Sequence, residues 1–141
     1  MTKTIRRFED LRCWQKAREL ANAVHELACH AQFERDFRLR AQNEDASGSV
    51  MHNIAEGHDA GGDVEFIRFL KIARRSASEV QSELYLAMDR RHITDAELQR
   101  TYFLADEAKR LINGPIAYLR KPESVHPSGK QIDERAEPYL V

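Results

Sequence analysis

The stretch Asn53–Asp63, NIAEGHDAGGD, lies between two long segments of helical periodicity, and its reading decides how the chain is divided. Gly57, Gly61 and Gly62 fall within it. Glycine enters left-handed backbone without a Cβ clash, which is why helices so often end on it. The stretch therefore predicts a helix that finishes near Glu56, Gly57 as the left-handed residue just beyond it, and a flexible connection. Asp63 is then a natural N-cap for the next helix, and Glu65 suits the positive end of that helix's dipole. Glu56 is out of place at a helix end, where an anion costs about 0.3–1 kcal/mol. Asn53 and Glu56 stand one turn apart. With Gly57 they are read as a structural motif that locks one helix end to the next, Arg68 and Lys71 being the nearest cations in sequence. The rival reading pairs Glu56 with His52 or His58 as acid and base.

Working outward, Leu39, Ala46, Val50 and Ile54 form one seam of a helix over about 36–56. After the glycines, Phe66, Leu70, Ala73, Ala77, Val80, Leu84 and Ala87 form the seam of a helix over about 64–90. Leu11, Trp14, Ala17, Leu20, Val24, Leu27 and Ala31 predict a first helix over about 10–31, which "QFERDF" interrupts. Thr94-Asp95-Ala96-Glu97 is a capping box, in which the Thr and Glu side chains each take one orphan amide. It opens a helix over about 95–120, with Leu98, Tyr102, Ala105, Ala108, Ile112, Ile116 and Leu119 on one face. Gly114-Pro115 inside it predicts a kink or an early end.

No segment alternates apolar and polar residues for long, so strands are not expected. The sum is an all-α fold, an up-down-up-down antiparallel four-helix bundle over residues 1–120. Residues 121–141 hold three of the four prolines and no periodic seam, and are expected to form an extended or flexible C-terminal tail.

The 141 residues suffice for one domain with a real core. Apolar residues make up 42% and charged residues 32%, a globular composition. A net charge of −1 argues against a protein that grips nucleic acid across its whole surface, so any such contact must come from a local patch, or from a patch multiplied by oligomerisation, and is expected to be weak. The charged opening, MTKTIRRFEDL, has no apolar signal core, and no apolar run approaches the ~20 residues of a membrane span. Two cysteines, Cys13 and Cys29, make no disulfide framework. The expected setting is cytoplasmic, with reduced thiols.

Candidate chemistry is sparse. His25 and Cys29, four apart on a helix with His30 adjacent, are two ligands at most, and no second pair matches them. Partly buried Cys29 beside surface histidines is the better reading, with no metal. His52, Glu56, His58 and Asp59 crowd one helix end, but no nucleophile elbow, phosphate loop or metal motif accompanies them. No enzyme, cofactor or small-molecule substrate is therefore expected. Arg68, Lys71, Arg74 and Arg75 lie on the polar side of their helix. They read either as a stripe for nucleic acid or a partner, or as a solvated face that Glu79 helps to balance. Ile67, Phe69, Ile72, Tyr85, Leu86, Leu104 and Leu111 widen two helices beyond the single apolar stripe that a lone bundle needs. Subunit contact explains that surplus, although isolated exposed apolar residues are ordinary.

"FEDLRCWQKARELANAVHEL", "NIAEG" and "EFIRFLKIARRSASEVQSEL" together resemble the four-helix-bundle proteins encoded in intervening sequences of bacterial 23S ribosomal RNA genes. That family includes relatives of the accessory variability determinant of diversity-generating retroelements. The resemblance covers about residues 8–120. It implies a small four-helix bundle, a ring-shaped homopentamer, and neither enzyme activity nor cofactor. The accessory relatives imply the alternative of a nucleic-acid-binding partner of a reverse transcriptase or of ribosomal RNA. Here Asn43-Glu44-Asp45 stands where the family pattern often has arginine, and Arg75 where glycine is common.

Overall fold

A computed structural model describes residues 4–121 and 132–133, with side chains over 5–121. The chain opens with a two-residue strand, β1 (Thr4–Ile5), and a 3-10 turn at Phe8–Asp10. Five helices follow: α1 (Arg12–Ala28), α2 (Ala31–Arg35), α3 (Phe37–Asp59), α4 (Asp63–Asp89) and α5 (Asp95–Leu119). The strand β2 (Ile132–Asp133) pairs antiparallel with β1, Thr4 opposite Asp133 and Ile5 opposite Ile132. The rest of the segment expected to be a flexible tail lies outside the described residues.

The four long helices pack in cyclic order. α1 touches α3 and α5, α4 touches α3 and α5, and the diagonal pairs make little contact. Each predicted seam points into this square: Leu20 and Val24 of α1, Val50 and Ile54 of α3, Leu70, Ala77 and Leu84 of α4, and Ala105 and Ile112 of α5 are all buried. Burial of such stripes, at about 25 cal/mol per Å² of apolar surface, is what holds short-looped helices together. Phe8 and Trp14 close one end, with ring centroids 5.2 Å apart in an edge-to-face contact. No helix among the described residues is long and apolar enough to cross a membrane.

Four local expectations need correction. "QFERDF" is not only an interruption, because its first part forms α2 and buries Phe33 completely. Gly62, not Asp63, is the N-cap of α4. Asp63 and Glu65 lie in the first turn, where their charge still suits the dipole. Pro115 does not end α5, which continues to Leu119 with Gly114 and Pro115 both buried. Most informative, α3 does not stop at Glu56 but runs on to Asp59. Gly57 is therefore a helical residue and not the left-handed one. That role falls to Gly61, with φ 103°. The predicted capping box is formed as expected: Thr94 Oγ1 accepts from the Glu97 amide at 3.1 Å, and Glu97 Oε1 accepts from the Thr94 amide at 2.9 Å.

Candidate functional site

The α3–α4 seam carries most of the residues that the sequence singles out. Gly57 marks its tightest point. A Cβ there would lie 2.6 Å from Phe69 Cβ and 3.1 Å from Phe66 Cδ1. The glycine is needed because α4 approaches too closely for any side chain, which is a packing requirement and not a turn requirement. One turn back, Asn53 Nδ2 donates to the Ser49 carbonyl at 2.8 Å and to Ser49 Oγ at 2.9 Å. Ser49 Oγ in turn meets Ser76 Oγ of α4 at 2.9 Å. Asn53 thus bears on α4 through Ser49.

Glu56 takes no part in that network. It is exposed, and the cations expected to offset it are elsewhere. Arg68 is held by Glu65 in a bidentate pair at 3.0 and 3.1 Å and lies 4.6 Å from the Phe69 ring centroid. Because α3 runs on to Asp59, Glu56 also stands at the start of the last turn instead of at its end, and the dipole penalty is smaller. Arg74 is turned from the other basic residues and donates to Asn113 Oδ1 of α5 at 2.7 Å. Lys71 is half-buried and Arg75 exposed, and neither has an ion-pair partner among the described residues.

Of the rival acid–base residues, His52 and Glu56 line one recess on α3 with no hydrogen bond between them, and His58 lies apart from both. His58 is 1% exposed, packs edge-on against Phe66 and meets Asp59 Oδ1 through Nδ1 at 3.2 Å, while Glu56 faces solvent. His25 Nε2 and Cys29 Sγ are 3.7 Å apart, and Cys29 is exposed where partial burial was expected. Among the described residues no group of three or more His, Cys, Asp or Glu side chains could hold a metal.

A recess of about 310 Å³ runs along the outer side of α3. Glu44, Asp45, Gly48, Ser49, His52, Asn53 and Glu56 line it, and Gly48 opens its floor by lacking a side chain. It is acidic and polar, with no nucleophile positioned by a base.

Sequence reasoning missed two buried polar side chains on the same seam. Asn43 is fully buried and Glu83 is 7% exposed, and neither has a hydrogen-bond partner. Burial first, then the carboxylates of Glu79 and Asp45, push the Glu83 carboxyl up to about 7. For Asn43 a signal existed: it lies four residues after Leu39 and three before Ala46, in the middle of the apolar seam. Glu83 lies beside Leu84 on the flank turned to α3, and only the neighbouring helix buries it.

The opposite end of the bundle is joined by histidine–carboxylate pairs. His30 Nε2 meets Glu97 at 2.7 Å, His25 Nδ1 meets Glu44 at 2.5 Å, and Asp36 accepts from His92 at 2.9 Å and Arg90 at 3.0 Å. The His92 bond, more than the Arg90 bond, holds the Asp36 carboxyl below its usual range.

Fold and site together define an all-α bundle with a close-packed Gly57 seam, charged outer faces and no assembled catalytic group among the described residues. The sequence profile of the 23S rRNA-intervening sequence protein family matches residues 9–114, and the chain belongs to that family. It is similar to a crystal structure from Bacteroides thetaiotaomicron, described as a protein of unknown function from the S23 ribosomal protein family. The two share 23% identity at a TM-score of 0.67, over 77% of this chain and 99% of the other, which is a likeness of fold. No curated protein matches the chain.

Proposed function

We propose that the protein is a non-enzymatic helical bundle that assembles with copies of itself in the cytoplasm and acts by binding rather than by catalysis. The carrying observation is apolar surface that a single bundle leaves in water. Tyr85, Leu86 and Phe103 are 47%, 43% and 58% exposed. Tyr85 also packs edge-on against half-buried Tyr102, with centroids 5.9 Å apart, so the surface spans α4 and α5. Aromatic side chains clustered in this way are typical of subunit contacts. Ile67, Phe69, Ile72 and Leu104 are half-buried and Leu111 is buried, so the surplus apolar surface is concentrated at fewer positions than the sequence pattern alone suggests. A ring of five is the assembly that the family resemblance implies. Arg68 and Arg74 are engaged within the chain, which keeps any nucleic-acid binding by this basic group weak and salt-sensitive.

Light scattering at micromolar concentration tests the reading. The expected particle has a mass several times the 16.3 kDa of one chain. A particle of one chain mass would overturn it.

A further inference from the structure

Two outer faces of the bundle carry opposite charge at matching heights. On α3 the recess at Gly48 presents the exposed carboxylates of Asp45 and Glu56, neither of them in an ion pair among the described residues. On α4 the outward side presents Lys71 and Arg75, also unpaired. The antiparallel register of these helices is set by Ser49 against Ser76 and by Gly57 against Phe66 and Phe69. By that register Lys71 stands level with Ile54 and Arg75 level with Val50, the heights of the recess. Leu86, 43% exposed, stands level with Leu39, beside the 70% exposed Phe37 at the start of α3. Along the bundle axis each face thus presents charge in the middle and an exposed apolar side chain at the same end.

We propose that α4 of one copy docks on α3 of the next, Lys71 and Arg75 entering the acidic recess while Leu86 covers Phe37. This rests on the self-assembly proposed above and assigns its two surfaces. A second copy is the occupant that fits, because a chain with a net charge of −1 presents both halves of one complementary pair. An acidic recess offers nothing to a polyanion. The contact is heterologous, joining different patches, so copies add head to tail. The outer sides of adjacent helices in a four-helix bundle point about a quarter turn apart, a geometry that closes a small ring instead of extending a filament. Glu79, level with Ala46, is the group on α4 that works against the pairing, since it meets Asp45 of the next copy.

Sedimentation velocity on the full chain tests this with K71E, E56R and the double variant, because Lys71, level with Ile54, is the nearer of the two cations in height to Glu56. Position 56 is exposed and position 71 half-buried, and circular dichroism confirms that each variant is folded before assembly is read. Each single reversal places like charges across the contact and is expected to weaken assembly about tenfold or more. The double variant restores opposite charges, with Glu on α4 and Arg on α3, and is expected to recover assembly. If wild type assembles and the single reversals assemble equally well, or if both weaken and the double variant does not recover, the assigned surfaces are wrong while self-assembly stands. If wild type is a single chain, the self-assembly reading itself falls.

Discussion

Glu83→Gln should make the protein more stable at neutral and alkaline pH, although it removes a charged residue. The Glu83 carboxyl is buried at the α3–α4 seam without a partner, beside Glu79 and Asp45, and titrates near 7 against an ordinary value of 4.5. Between those two values the folded chain keeps a proton that the unfolded chain has lost. Stability therefore falls as pH rises through this window, and the total loss is about 3 kcal/mol. Below the ordinary value both states are protonated and the penalty vanishes. Glutamine has the shape of the protonated acid and cannot ionise, so the variant escapes the loss. Urea unfolding at fixed protomer concentration, at about pH 4.5, 6 and 8, reads the effect. At pH 8 the variant's midpoint should lie about 1–2 M above wild type, for a slope near 2 kcal/mol per M. At pH 4.5 the two should nearly coincide. Depressed carboxylates such as Asp36, held first by its His92 bond, contribute in the opposite sense: their stabilisation is present above the ordinary carboxylate range and is lost as pH falls. They act in both proteins and cancel in the comparison. If wild type showed no decline from pH 5 to 8, or if the variant were less stable at pH 8, the assignment of Glu83 as a buried, neutral acid would be refuted.

Gly57→Ala replaces glycine in a helix, which by propensity alone gains about 1 kcal/mol. The 2.6 Å approach to Phe69 Cβ forces α3 and α4 apart, so a net loss of about 1–3 kcal/mol is expected in thermal unfolding, and a gain would show that the seam is loose. Asn53→Ala removes the donor to Ser49 and should cost about 1 kcal/mol, whereas Glu56→Gln, at an exposed site without a partner, should leave stability within about 0.5 kcal/mol; equal effects would contradict the placement of both residues. Thr94→Ala dismantles the capping box of α5 and should cost about 0.5–2 kcal/mol by urea midpoint, with no change in subunit mass by light scattering.

The division into helices was legible because it depends on local chemistry. A repeat of three and four places an apolar stripe on one side of a helix whatever surrounds it, and Thr94 with Glu97 closes its box within a single turn. What was not legible depends on a neighbour. In the sequence Gly57 resembles a helix stop, because glycine before a run of further glycines usually is one. Only the position of Phe66 and Phe69 shows that the helix continues and that the missing side chain makes room for α4. Arg68 lay near Glu56 in sequence, yet Glu65, one turn away on its own helix, holds it. Periodicity reports the angle of a residue about its own axis, and so it finds the seam. The distance between two helices decides burial and partner choice, and that distance arises only when the seams meet. Glu83 is the sharpest case, a polar side chain whose enclosure its own helix could not reveal, whereas Asn43 stood in the middle of an apolar seam.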